Sequence, residues 1–150
     1  MEIDTRDITN FAAALATAPK EFQATLKKGL DGLLSYGVKT AKGFAPKQTG
    51  ALAAAIRVLE PTSIGATITG SYGVQKTSAL PYPFMREYGG TIVPVRAKYL
   101  VFRGRDGGLV FAKSVTQKGT RYMNRSFDIV RPRLIPVAEA AAARLLARFG

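Results

Sequence analysis

The chain has 150 residues, 47% apolar and 21% charged, which suits one domain with a core of its own and excludes wholesale disorder. It has no cysteine and no histidine, which excludes disulfides, thiolate chemistry, zinc–sulfur sites and any mechanism built on an imidazole. The formal net charge is +12, and residues 96–133, with ten basic and two acidic side chains, hold +8 of it.

In chain order, residues 8–17 (ITNFAAALAT) predict a short helix, so that 1–18 form an N-terminal helical extension. The acidic start, Glu2, Asp4 and Asp7, is unlike a secretory leader. No apolar run reaches the length of a membrane span; 135–149 is broken by Glu139, Arg144 and Arg148. A soluble protein made in the cytoplasm is expected. Pro19 is placed to open a long helix running to about Gly43. Phe22, Leu26, Leu30, Leu33, Leu34, Val38, Ala41 and Phe44 recur along it at steps of three and four, one apolar stripe of helical period. Gly29, Gly32 and Gly37 each weaken it by roughly 1 kcal/mol relative to alanine, so packing must hold it or it bends.

Pro46 stops that helix, and Thr49 is placed to cap a short one through Ala55. Residues 56–60 and 64–70 predict two strands joined by a turn at Pro61-Thr62-Ser63. Residues 71–84 read as loop. A helical turn over 84–88 ends at Gly89-Gly90, Thr91 to Val95 is extended, and 99–103 and 109–112 flank Arg105-Asp106-Gly107-Gly108 as a hairpin. Residues 121–128 (RYMNRSFD) have no clean period, which makes 113–130 a loop that orders against a partner. A final helix runs from about Leu134 to Arg148, with Val137, Ala141, Leu145 and Phe149 as its stripe. Central strands flanked by helices make a single α+β domain over 1–150, with long N-terminal helices and a C-terminal helix packed on a small, mainly antiparallel sheet.

No phosphate loop, dinucleotide fingerprint or nucleophile elbow is present, and no paired carboxylates suggest a metal site, so neither an enzyme nor a cofactor is expected. Glu87, in its glycine-flanked turn, reads either as a lone catalytic acid or, far better, as a structural carboxylate paired with Arg86 or another basic residue. The basic segment reads in two ways. Arg96, Lys98, Arg103, Arg105, Lys113, Lys118, Arg121, Arg125, Arg131 and Arg133 form either an interface for an anionic partner, nucleic acid or acidic protein, or a solvated face. Tyr99, Phe102, Phe111, Tyr122 and Phe127 are interleaved with them, as in a single-strand-binding surface. Strand alternation instead turns such aromatics toward the core and the charges outward.

Three segments in order carry a resemblance. They are Ala45-Pro46-Lys47-Gln48-Thr49-Gly50-Ala51-Leu52 with Ile56; Tyr82-Pro83-Phe84-Met85-Arg86-Glu87-Tyr88-Gly89-Gly90-Thr91 followed by Tyr99-Leu100-Val101-Phe102; and Arg131-Pro132-Arg133-Leu134-Ile135-Pro136 before an alanine-rich helix. Over roughly residues 20–148 this set resembles the neck or tail-completion minor tail proteins of long-tailed bacteriophages, the lambda gpZ type. The resemblance implies a virion structural protein assembled in the host cytoplasm. It implies a homo-oligomeric, sixfold ring that joins the head adaptor or head-completion protein to the tail terminator or tail tube. It further implies a channel with non-specific contact to passing DNA, and no membrane. Thr49 and Gly50 correspond to the helix-start turn, Glu87, Gly89, Gly90 and Thr91 to the turn shaping the central loop, and Arg131 and Pro132 to the lead-in of the last helix. The alternative is a basic nucleic-acid-binding protein that uses residues 96–133.

Overall fold

The structure, a computed structural model, describes residues 19–47, 50–65, 68–75 and 83–149. The expected helix over 8–17, the capping role of Thr49 and the position of Tyr82 lie outside the described residues. Helix α1 spans Lys20–Phe44, with Pro19 as its N-cap rather than its first helical residue. Pro19 accepts from the N–H groups of Phe22 and Gln23 in place of a side-chain cap. The helix ends because Ala45 is extended ahead of Pro46, as the residue before a proline must be. Its apolar stripe faces inward: Leu26, Leu33, Gly37 and Ala41 are buried, with Leu30, Leu34, Val38 and Phe44 packed alongside. Burying leucines such as Leu26 and Leu33 contributes about 1.5–3 kcal/mol each, enough to carry Gly29, Gly32 and Gly37.

Two of those glycines are where a neighbour needs the room. A Cβ on Gly37 would lie 2.5 Å from Cζ of Tyr72, and one on Gly29 would lie 2.6 Å from Cγ1 of Val137, whereas Gly32 faces open space. The Tyr72 ring rests on the α1 backbone. Ser126 Oγ donates to the Gly37 carbonyl at 2.8 Å, so the hydrogen bond between Tyr72 and Ser126, 3.0 Å long, is donated by the tyrosine. Burial raises the Tyr72 phenol above its ordinary pKa, and the Ser126 hydrogen bond partly offsets this.

Helix α2, Ala51–Ala55, starts from Gly50 at φ 71°, a left-handed conformation that glycine adopts freely. Strands β1 (Ile56–Ile64) and β2 (Ile68–Val74) pair antiparallel, Ile56 opposite Val74 and Ile64 opposite Ile68. The expected turn at 61–63 is therefore corrected: the strand runs through it and the chain reverses after Ile64. Pro61 does not end the strand because the register shifts between Glu60 and Ser63, where a residue without an N–H is tolerated. At the same irregularity the Thr62 N–H leaves the ladder and donates to Asp31 Oδ1 of α1 at 2.7 Å. Part of the expected loop, 71–74, is the second half of β2.

Helix α3 is Pro83–Tyr88 and runs into β3, Gly89–Ile92. Strands β4 (Leu100–Arg103) and β5 (Leu109–Ala112) form the expected hairpin, and β6 is Val115–Lys118. Strand β3 pairs with β6, and β4 with β5, so the described strands form three two-stranded antiparallel pairs rather than one sheet. The expected loop over 113–130 is corrected too: after β6 it forms helix α4, Tyr122–Val130. A 3-10 turn, Arg131–Arg133, leads into helix α5, Leu134–Phe149. Tyr122, Ser126 and Val130, at steps of four, are the buried face of α4; their mixed chemistry hides the helical period.

The main core joins Leu33, Ala41 and Ala45 of the α1 segment to Leu52, Ile56, Tyr72, Tyr122 and Val130. A second cluster sets Leu26 against Ala141 of α5, with Phe22, Ile64 and Ile68 around them. The architecture is α+β, with α1 as the spine on which β1–β2, α4 and α5 pack.

Candidate assembly surface

Glu87 organises the junction between α3, β3 and α4. It is 5% exposed, and its two carboxylate oxygens accept from the backbone N–H groups of Met123 at 2.9 Å and Asn124 at 3.0 Å. These N–H groups belong to the first turn of α4, where no intrahelical acceptor exists. Arg121, the N-cap residue, offers no capping side chain. The main chain reinforces the join, since Thr120 and Arg121 donate their N–H groups to the carbonyls of Arg86 and Glu87. The Glu87 carboxylate thus meets backbone donors in place of the expected salt bridge to Arg86. Beside it, burial and then the Glu87 charge push the Tyr122 phenol up to about 12.

Gly89 (φ 78°) and Gly90 (φ 151°) make the turn out of α3. A Cβ on Gly89 would lie 2.6 Å from Gln117 O and from Gly119 N, so the β3–β6 pair closes only on glycine there. Thr91 follows in β3, its hydroxyl 3.1 Å from that of Thr116. Pro132 sits exposed in the 3-10 turn.

The β4–β5 hairpin departs most from expectation. Alternation predicts one inward face, yet Val101 (55% exposed), Phe102 (41%), Leu109 (63%) and Phe111 (63%) leave apolar side chains open on both faces. Alternation buries a face only when another layer covers it, and among the described residues the pair has no third strand. Its tip is well made. Gly104 N–H donates to Gly108 O at 2.8 Å, Gly107 takes φ 82°, and Arg103 Nη1 donates to Gly107 O at 3.2 Å. Between this hairpin and the β3–β6 pair lies a groove of about 540 Å³, bordered by Arg86, Ile92, Leu100, Val115 and Gln117. Of the interleaved aromatics, only Tyr122 is fully buried.

All ten basic residues of 96–133 are exposed, in two groups. Arg96 and Lys98 lie before the hairpin, Arg103 and Arg105 at its tip, Lys113 after it and Lys118 at the end of β6. Arg121 precedes α4, Arg125 lies on it, and Arg131 and Arg133 lie on the 3-10 turn. Three of that second group, Arg121, Arg125 and Arg131, line a recess of about 380 Å³ together with Asn124 and Asp128. The Arg125 guanidinium sits 4.0 Å from the ring centre of Phe44, and that of Arg133 sits 4.5 Å from that of Tyr36. Neither recess, hairpin surface nor Glu87 junction gathers three ligating side chains, and among the described residues no such group exists. No helix among the described residues is long and apolar enough to cross a membrane.

The capping role of Glu87 and the recess were both missed by sequence reasoning. The acid in question stands 36 residues from the helix it caps, and the recess depends on α4, whose period is masked. Comparison with family profiles, with curated proteins and with solved structures finds no match to this chain.

Proposed function

We propose that this chain is a structural protein of the bacteriophage head–tail junction, of the neck or tail-completion kind. In this reading it forms a homo-oligomeric ring, sixfold by the resemblance. The ring joins the head adaptor to the tail terminator or tail tube and leaves a channel for DNA. One observation carries the proposal: the β4–β5 hairpin, a well-formed pair with Val101, Phe102, Leu109 and Phe111 uncovered. An isolated two-stranded hairpin is marginal in water, and an apolar patch of this kind marks an interaction site. A hairpin of one subunit seated on a different surface of the next is a head-to-tail contact, which closes into a ring when the rotation allows. The ordered motif set supports the same reading, and the residue inventory, lacking histidine and cysteine, gives no support to a catalytic one.

The test is the solution mass by light scattering with negative-stain imaging, for the wild type and for Phe111→Asp. Phe111 is 63% exposed, so the substitution leaves the core intact. The wild type should form rings, alone or with purified tails, and the variant should not. A variant that still forms rings, or a wild type that is monomeric under every condition and joins no tail, sinks the proposal.

A further inference from the structure

We propose that the recess on α4 is a phosphate-binding site for a nucleic-acid backbone, carried by Arg121, Arg125 and Arg131. All five residues that line it, these three with Asn124 and Asp128, are polar, so with Asp128 ionised its formal charge is +2. Protein–protein contacts are built around an apolar centre with a polar rim. That kind of surface is on the hairpin, which shares no residue with the recess. Fork-shaped guanidinium donors without an apolar centre suit phosphate oxygens, which they bind bidentately and without reference to sequence.

Three observations show that the arginines are held ready. Arg125 is held over the Phe44 ring at 4.0 Å, a contact that uses none of its N–H donors in a hydrogen bond, and Arg133 lies over Tyr36 at 4.5 Å. No carboxylate among the described residues forms an ion pair with Arg121, Arg125 or Arg131, although Asp128 lies in the same recess. Arg121 has φ 52°, and it is the one non-glycine among the described residues with positive φ. Glycine or asparagine takes that conformation at lower cost, so an arginine there gives up stability for what its side chain reaches. The helix terminus itself is not the attraction, because the N–H groups of Met123 and Asn124 are already given to Glu87. Arg121 immediately precedes α4 and Arg125 lies in its first turn, the Arg125 N–H donating to the Arg121 carbonyl, so the two address neighbouring positions along a phosphate chain.

The site stands whether or not the chain forms a ring, and its test reads binding rather than assembly. Anisotropy of a labelled, random-sequence 25-base-pair duplex is followed with the full chain from about 50 to 200 mM salt. Wild-type affinity should fall log-linearly with salt. The double variant Arg125→Gln, Arg131→Gln should bind at least ~10-fold more weakly and lose about two from the salt slope, close to 0.9 per phosphate contact. Arg96→Gln with Arg105→Gln removes the same charge outside the recess and should stay within about 3-fold of wild type. Arg121→Gly guards against a folding artefact: it should melt no lower than wild type and yet bind about 3–10-fold more weakly. Equal losses in the two double variants, an unchanged salt slope, or full affinity in Arg121→Gly would overturn the site. Competition by polyglutamate as strong as by unlabelled DNA would overturn it in favour of an acidic protein surface.

Discussion

The carboxylate of Glu87 accepts a hydrogen bond from the backbone N–H of Met123 at 2.9 Å, and its second oxygen takes the next N–H, that of Asn124. A side chain from α3 therefore caps α4 across 36 residues. Charge-assisted bonds to a buried carboxylate are worth about 1.5–3 kcal/mol, and lost helix caps cost about 0.5–2 kcal/mol. Glu87→Ala should accordingly cost about 2–3 kcal/mol in urea unfolding. Glu87→Gln keeps one acceptor but turns an amide NH₂ toward the other N–H, so it should cost about 1–2 kcal/mol. A loss under about 0.5 kcal/mol for Glu87→Ala would show that the cap does not hold this junction together.

Gly32 and Gly37 of α1 should respond to alanine with opposite signs. Gly32→Ala meets open space and should stabilise by about 0.5–1 kcal/mol through helix propensity. Gly37→Ala drives a methyl into the buried Tyr72 ring, and overpacking costs about 1–3 kcal/mol, more than propensity returns. Thermal melts of the two variants should move in opposite directions. Two upward shifts would mean that the Tyr72 ring yields without loss.

Asp31 makes part of the acid sensitivity. The N–H and hydroxyl of Thr62, and the Lys27 charge to a lesser extent, hold its carboxyl below the ordinary value of 3.8, against the smaller opposing effect of burial. The folded pKa lies under the unfolded one, so the contribution is present above about pH 4 and fades as the pH falls through the folded value. Asp31→Asn should thus lose less stability than wild type between pH 5 and pH 2.5 in urea titrations. Parallel pH profiles would mean that the Thr62 hydrogen bond does not discriminate between the charged and neutral forms.

Much of this fold was legible in the sequence, for a physical reason that differs by element. The α1 stripe is long and strongly apolar, so its period survives Gly29, Gly32 and Gly37. The β4–β5 hairpin is announced by Asp106-Gly107-Gly108 chemistry, which is local. Helix α4 was not legible, since its buried face is Tyr122, Ser126 and Val130, one of them a serine that is buried only because Gly37 and Tyr72 satisfy its hydroxyl. The strand through Pro61 was not legible either, because the residue that accepts from the freed Thr62 N–H is Asp31, half a domain away.

Of the candidate site, composition alone located the charge: ten basic residues within 96–133, all of them exposed in the structure. It did not divide them into a hairpin group and an arginine recess. That division is made where α4 meets α1, whose Phe44 and Tyr36 carry Arg125 and Arg133.

The sequence by itself determined what depends on near neighbours: the helical stripe of α1, the hairpin turn, the alanine-rich α5, the absence of imidazole and thiol chemistry, and the place of the positive charge along the chain. Only the tertiary structure decided which of the apolar strand faces is covered, which glycines are contacts, where the carboxylate of Glu87 is used, and which arginines share a recess. Near neighbours act through backbone sterics and periodicity, which a linear pattern records. Burial and long-range hydrogen bonds depend on which surfaces meet, and that is settled only when α1 brings residues dozens of positions apart against one another.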